Sequence, residues 1–487
     1  MQDSCSPGRW RARVSCAARA ARGALVPMLC VALSACQSYE PHPLALEAHA
    51  ARFDDRAPSA EVGDAAIALA WPAIDPARGL TLPDAQAIGL VLNRDLRLLR
   101  LASGVSRATW QHAGRIDDPM LLFDAASPYS PSGPLEWGLG LHLTVPVSGR
   151  LRAEVQRAGA AHAADLARVV DEEWKTQHAI ERAWHAWMIA FEREAMLHEA
   201  EASLEPPASV ALQRAAAGEM SRIEARLLRA EVSRVAARRH SAALAREQAR
   251  LEILDLVGLP PTTHVPLVPA EAIAIEPALA DVAARLIGHN TELAVRRAEY
   301  AEAEHALRAQ VRRQYPDISV GGGYGSEDDD RLLLGVSMPI PLFERNRQAI
   351  AVADAARALA RARAETTLED LLMRVAAAQA DVAAAQHLVD QAAAAIEPWS
   401  AGDAPDLTHL LTEGQIDALV LIESIATGIE ARERWLDARL MLARAANARS
   451  LLCGPQQPIA QDQSPRHAAA DMTTSGAHAA PTQENTR

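Results

Sequence analysis

Residues 139–152 read LGLHLTVPVSGRLR, and residues 334–347 read LGVSMPIPLFERNR. The two stretches align without a gap, bringing Gly140 onto Gly335, Pro146 onto Pro341, Arg150 onto Arg345 and Arg152 onto Arg347. Their offset, 334 minus 139 or 195 residues, is far longer than a solenoid unit, so the chain carries a duplicated module of domain size. Ahead of the proline each copy alternates. In the first, Trp137, Leu139, Leu141, Leu143 and Val145 share one face, and Gly138, Gly140, His142 and Thr144 share the other. In the second, Leu332, Leu334, Val336, Met338 and Ile340 make the apolar face. Such a pattern predicts a strand with one apolar and one small or polar side.

Beyond the proline the period changes. Glu344 to Glu397 contains neither glycine nor proline and is rich in Ala, Leu, Arg and Glu, which favour helix. At 1.5 Å per residue this run predicts a rod about 80 Å long. Arg150 to Glu205 predicts a similar rod, interrupted mainly by Gly159. Each rod is expected to stop at a proline (Pro206, Pro398) and to lead, after a short stretch, into a glycine-marked turn. Those turns are AAAGEMSRIEA at 215–225 and LTEGQIDALVL at 411–421, with returning antiparallel helices over 221–257 and 416–452. Helices of this length point to coiled-coil packing.

Upstream of each junction lies a weaker strand, with Leu121, Phe123 and Ala125 in phase in the first copy and Ile318, Val320, Gly322 and Tyr324 in the second. The turn-forming segments SPYSPSGP (127–134) and GSEDDD (325–330) join the pairs, so each copy supplies one hairpin. Of the 18 aromatic residues, Phe123, Tyr129, Trp137, Tyr315, Tyr324 and Phe343 fall in or beside these hairpins, where membrane-interface girdles sit. Four strands cannot close a membrane barrel, since the smallest need eight. Two readings stand: a barrel shared among several chains, or a soluble sheet with one face buried on helices. No apolar run of transmembrane-helix length follows the first 36 residues.

The chain begins with five arginines (Arg9, Arg11, Arg13, Arg19, Arg22), a single acid and the apolar run Ala24–Leu33, which predicts a signal peptide over 1–35. Leu33-Ser34-Ala35-Cys36 resembles the bacterial lipobox, and that resemblance implies lipidation of Cys36. The same resemblance implies that Gln37, in place of an aspartate, permits sorting to the outer membrane. The alternative is ordinary cleavage with Cys36 left as a thiol. Without the leader only Cys453 remains beside Cys36, so no framework of disulfides is expected. The same cleavage leaves 44 basic (49 minus 5) and 61 acidic (62 minus 1) side chains, a formal charge of −17 that argues against nucleic acid as a partner. Residues 36–80 are expected to form an extended arm, and 456–487 a disordered tail. Between them, 81–270 and 271–455 make the two repeats.

His178, Glu181 and His185 lie on one helix face, a spacing that metal ligands use. No fourth ligand can be placed, so a polar stripe beside Trp174 and Trp184, facing solvent or a neighbouring helix, is expected instead. The acidic run Glu327–Asp330 is expected to be a solvated turn, with attraction of cations at an outer mouth as the alternative. No phosphate loop, nucleophile elbow or carboxylate pair stands out, so neither catalysis nor a cofactor or bound metal is expected.

Hairpin, long helix, glycine turn and returning helix, repeated once, resemble the protomer of the TolC family of outer membrane factors over residues 80–455. The most specific residues are Ile340-Pro341-Leu342-Phe343-Glu344-Arg345-Asn346-Arg347, similar to the strand-to-helix motif of the CzcC-like heavy-metal branch. Asn93-Arg94-Asp95-Leu96 and Asn290-Thr291-Glu292-Leu293 are similar to the family's Asn-Pro-Glu-Leu, with Arg94 and Thr291 replacing its proline. The resemblance implies a mainly α fold with a small β part: a homotrimer whose protomers give four strands each to one 12-stranded barrel in outer-membrane lipid, above a periplasmic helical tunnel. It implies a passive exit duct, joined through a periplasmic adaptor (a membrane fusion protein) to an inner-membrane pump of the RND type. The tips that would meet the adaptor correspond to Gly218, Glu219 and Ser221 and to Gly414, Gln415 and Asp417. Metal cations are the expected cargo, with drugs or other small organic molecules as the alternative. A periplasmic coiled-coil structural or adaptor lipoprotein is the competing class.

Overall fold

The computed structural model describes residues 39–56, 78–126, 136–269, 273, 275, 277, 281–326, 329–396 and 417–456. Cys36, Gly414 and Gln415, the turn 127–134, Glu327 and Asp328 of the acidic run and the 456–487 tail apart from Gln456 lie outside them. The first of two compact units, residues 1–55, contains a single described helix, α1 (Leu46–Asp54). The second unit holds everything else.

In that second unit one order of six elements occurs twice. The first copy runs α2 (Leu82–Leu92), α3 (Arg94–His112), β1 (Met120–Ala126), β2 (Glu136–Val145), α4 (Arg150–Ala217) and α5 (Arg222–Val257). The second runs α6 (Val282–His289), α7 (Thr291–Arg312), β3 (Ile318–Ser326), β4 (Asp330–Ser337), α8 (Arg347–Ile396) and α9 (Ala418–Cys453). The expected mainly α architecture with a small β part is therefore present, and the strands fall where the alternation placed them. β4 ends at Ser337, short of the apolar phase that continues to Ile340, because Pro339 and Pro341 remove ladder donors.

The four strands form one antiparallel sheet in the order β1-β2-β3-β4, so the two hairpins join through β2 and β3. Among the described residues neither outer strand has a partner on its far side, and both are exposed along their whole length. Trp137, Leu139, Leu141, Leu143 and Val145 stand on one face of β2, with Leu121, Phe123, Val320, Tyr324, Leu332, Leu334 and Val336 beside them in register. All twelve are at least a third exposed. An apolar surface of this kind on a sheet with two open edges is incomplete as it stands.

The core sits among the helices. One cluster joins Ile88 of α2, Ile180, Trp184 and Met188 of α4, Ile253 and Val257 of α5 and Leu436 of α9. A second, farther along the rods, joins Leu204, Ala208, Ala211 and Ala215 of α4 to Ala225, Leu228, Val232 and Val235 of α5 and to Ala418, Leu421 and Ile422 of α9. Alanine at these positions lets the helix axes approach closely. Ion pairs lace the seams: Arg239 to Glu201 at 2.6 Å and Arg246 to Glu194 at 2.8 Å between α5 and α4, with Arg439 to Glu192 and Arg238 to Glu433 tying α9 to α4 and α5. Each such pair adds little stability, but together they fix the register of one rod against another.

Two expectations about α4 need correction. The rod does not stop at Glu205: it runs 68 residues, through Pro206 and Pro207, to Ala217. Proline removes a hydrogen bond and crowds the preceding turn. Leu204, Pro207, Ala208 and Ala211 are all buried, and the packing of Leu204, Ala208 and Ala211 in the cluster with α5 and α9 carries the helix across the defect. Gly159 does not interrupt it either; a Cβ there would lie 3.0 Å from Trp110 Nε1, so the glycine lets α3 rest on α4.

Candidate functional site: the sheet, its junctions and the helix tips

The repeat is pinned twice by the same device. Asn93 caps α3, its side-chain oxygen accepting from the backbone N–H groups of Asp95 and Leu96 at 2.9 and 3.0 Å. Its Nδ2 donates to the carbonyl of Leu256, near the end of α5, at 2.7 Å. In the second copy Asn290 caps α7 through Leu293 N at 2.7 Å, and its Nδ2 donates to Leu452 O of α9 at 2.7 Å. Each asparagine thus satisfies one helix start and one helix end. The glycines closing the returning helices, Gly258 (φ +85) and Gly454 (φ +72), lie so close that a Cβ would sit 2.4 Å from Leu92 O and 2.0 Å from His289 O.

At the strand-to-helix junctions the aligned arginines do different work. Arg150 opens α4 behind Gly149, a left-handed residue at φ 73. Its Nε donates to Asp317 at 2.7 Å and its Nη2 to Asp117 at 3.3 Å, clasping the segments that enter β3 and β1. Arg345 lies outside a helix, at φ 50, and donates back to Pro341 O at 2.9 Å. Asn346 (φ 57) donates through Nδ2 to Gln310 O at 2.8 Å, tying the junction to α7. Glu344 accepts from Asn346 N at 2.6 Å and Gln348 N at 3.2 Å, so an acid covers the free N–H groups where α8 begins at Arg347. Pro146 and Pro341 each lie beyond the last residue of their strand.

The first tip is a two-ended cap. Gly218 (φ 81) ends α4, with its N–H donating to Ala215 O and that of Glu219 to Arg214 O at 2.8 Å, a Schellman closure. Nothing lies within 4 Å of a Cβ built at Gly218, so the backbone angle alone requires glycine. Glu219 also pairs with Arg214 at 3.6 Å, and Ser221 caps α5 through Ile223 N at 3.2 Å. Asp417 precedes α9 without a side-chain cap. Because Ala418 shares a cluster with Ala215 and Ala225, Asp417 stands at the same end of the rods as the first tip.

The polar stripe on α4 faces a neighbouring helix. His178 and His185 are buried, and Asn447 of α9 donates to Glu181 Oε2 at 2.9 Å while lying 3.0 Å from His178 Nδ1. His178 Nδ1 is 3.2 Å from the same carboxylate oxygen, and His185 Nε2 is 3.7 Å from the other. Burial works to raise the Glu181 carboxyl, but hydrogen bonds and charge from the two imidazoles outweigh it and hold it at about 2. Trp174 meets His178 edge-on at 4.4 Å and donates to Leu451 O at 3.0 Å. Among the described residues no group of three or more His, Cys, Asp or Glu side chains is arranged to hold a metal. The sequence marks Asn447 only as an amide within the helix-forming stretch MLARAANARSLL, where no local pattern singles it out. No helix of the described residues is long and apolar enough to cross a membrane.

No family model matches the chain, and no curated protein does. Solved structures do. The Campylobacter jejuni CmeC outer membrane channel superposes with a TM-score of 0.67 at 13% identity, over 89% of this chain and 97% of that one. The open state of the Neisseria gonorrhoeae MtrE outer membrane channel gives 0.61 at 18% identity, over 77% and 89%. CusC, described for its conformational changes during folding and transmembrane channel formation, gives 0.61 at 14%, over 77% and 92%. The chain has the fold of the TolC-family outer-membrane efflux channels.

Proposed function

We propose that this protein is the outer-membrane exit duct of a tripartite efflux pump, working as a homotrimer whose three sheets close one 12-stranded barrel over a tunnel of helices. The observation that carries the reading is the sheet itself. Its two open edges and its exposed apolar face are costly in water and complete only when sheets join edge to edge in lipid. Rods of 68 and 50 residues, about 100 and 75 Å long, supply the reach across the periplasm.

The chemistry of transport belongs elsewhere in this reading. An inner-membrane pump of the RND type selects and energises the cargo, a periplasmic adaptor contacts the tips at Gly218, Glu219 and Ser221 and at Gly414, Gln415 and Asp417, and this chain conducts passively. The heavy-metal-type motif at Ile340–Arg347 favours metal cations as cargo, and the lipobox-like LSAC favours a lipid on Cys36. The test is purification in detergent followed by reconstitution into planar bilayers. A trimer mass with discrete single-channel currents is expected; a monomer without conductance in lipid would sink the proposal. Mass spectrometry of the mature N-terminus checks the lipid, with Cys36→Ala expected to remove the acyl mass.

A further inference from the structure

The face of the sheet opposite the apolar one carries six glycines, with Met120 and Leu122 of β1 and Leu333 of β4 among them. Gly138 and Gly140 of β2, Gly321, Gly323 and Gly325 of β3 and Gly335 of β4 all lie on it in register. Two polar side chains use the room. A Cβ at Gly321 would lie 2.6 Å from His142 Nδ1 and Cε1, and one at Gly138 would lie 2.6 Å from Asp124 Oδ2. His142 and Asp124 therefore lie flat against the sheet, each over a glycine of the next strand, and both remain exposed.

From these positions we propose that Asp124 and His142 set the ion preference of the barrel bore, Asp124 favouring cations and a protonated His142 opposing them. The inference rests on the trimeric-channel reading, which turns one residue of each kind into a ring of three. In register Asp124 stands opposite Gly138, four residues from His142, about 13 Å along the strands and roughly 10 Å along the axis of a barrel whose strands tilt. The other charged groups described on this face are Glu136 of β2 and Arg331 of β4, both near the turn end of the hairpins. β3 presents only Ser319 and glycines there, and β1 presents Met120 opposite His142. Beneath the strands, Arg150 is already paired with Asp317 and Asp117. No other charged group described on this face stands at the level of His142, and imidazole is the side chain whose charge changes in the mildly acid range.

Twelve tilted strands place the barrel wall about 12 Å from its axis. Side chains lying flat leave the bore wide, so no metal can bridge the three imidazoles. They act as fixed charges, within about one Debye length of the axis at 0.1 M salt.

The experiment is the reversal potential of the reconstituted trimer under a salt gradient at low ionic strength, with trimer mass measured for every variant. The wild-type cation-to-anion permeability ratio is expected to fall about twofold or more between about pH 7.5 and pH 5.5, through charge on the ring. His142→Ala and His142→Gln should each abolish that fall, and Asp124→Asn should lower the ratio already at the higher pH. A wild-type ratio that does not move with pH, or a shift that survives in both His142 variants, overturns the inference while leaving the channel intact. A trimer that conducts nothing overturns the channel reading, and this inference with it.

Discussion

Asn93 and Asn290 show how much one side chain settles when it serves two helices. The motif Asn-x-(Asp/Glu)-Leu is readable in the sequence as a helix start, since asparagine is a strong cap. Its second role is not, because the acceptors at Leu256 and Leu452 lie 163 and 162 residues away. Asn93→Ala or Asn290→Ala should each cost about 2 kcal/mol, the sum of a lost cap and a buried carbonyl left without a donor. Gly258→Ala and Gly454→Ala should cost more, roughly 2 to 5 kcal/mol, since each adds left-handed strain to a collision with backbone. Thermal unfolding followed by circular dichroism checks both, with the glycine variants ranked below the asparagine ones. His178, Glu181 and His185 were legible as one face, but their burial required a partner on α9. The Glu181 carboxyl is held below its ordinary value of 4.5, at about 2, so its pairing stabilises the fold above pH 4.5 and fades as pH falls toward 2. The difference in stability between wild type and Glu181→Gln should accordingly be largest near neutral pH and shrink in that acid window, as read from denaturation midpoints at a series of pH values.

At the level of elements, α4 exposes the limit of local rules. Proline at 206 reads as a stop, yet the helix continues for eleven residues to Ala217 because its buried face is already packed on α5. Pro206 itself is exposed, so Pro206→Ala should restore a backbone hydrogen bond without opening a cavity. A gain of about 1 to 3 kcal/mol is expected from the helix propensities, measurable as a raised unfolding midpoint. The strand-to-helix junctions carry the reverse lesson. Arg150 and Arg345 align perfectly in sequence, but α4 starts at Arg150 and α8 two residues beyond Arg345. Arg150→Ala should loosen β1 and β3 from the head of α4, whereas Arg345→Gly should be tolerated, since glycine takes the left-handed angle more easily than arginine. Limited proteolysis near residues 113–120 and 313–318 would distinguish the two.

For the whole molecule, the decisive quantity is the number of strands. Counting four from the alternation already forced a choice between a soluble sheet and a shared barrel. The sheet's exposed apolar face and unpaired edges favour the barrel on physical grounds. Leu334→Arg, on the apolar face of edge strand β4, should cost about 2 to 4 kcal/mol per protomer if that residue faces the middle of the bilayer. The expected outcome is loss of trimer from outer-membrane extracts, while helical content stays near wild type. Retention of the trimer would place this face away from hydrocarbon.

The sequence by itself determined the duplication, the two-faced strands and the glycine at the first tip. All of these follow from periodicity or from a backbone angle that only one residue type adopts easily. Tertiary structure alone decided that α4 passes through two prolines, that Asn447 meets Glu181 across 266 residues, and that His142 rests on Gly321 of the other repeat. Those outcomes depend on the rotation and register of one element against another, which are set by packing between distant segments and leave no local pattern in the chain.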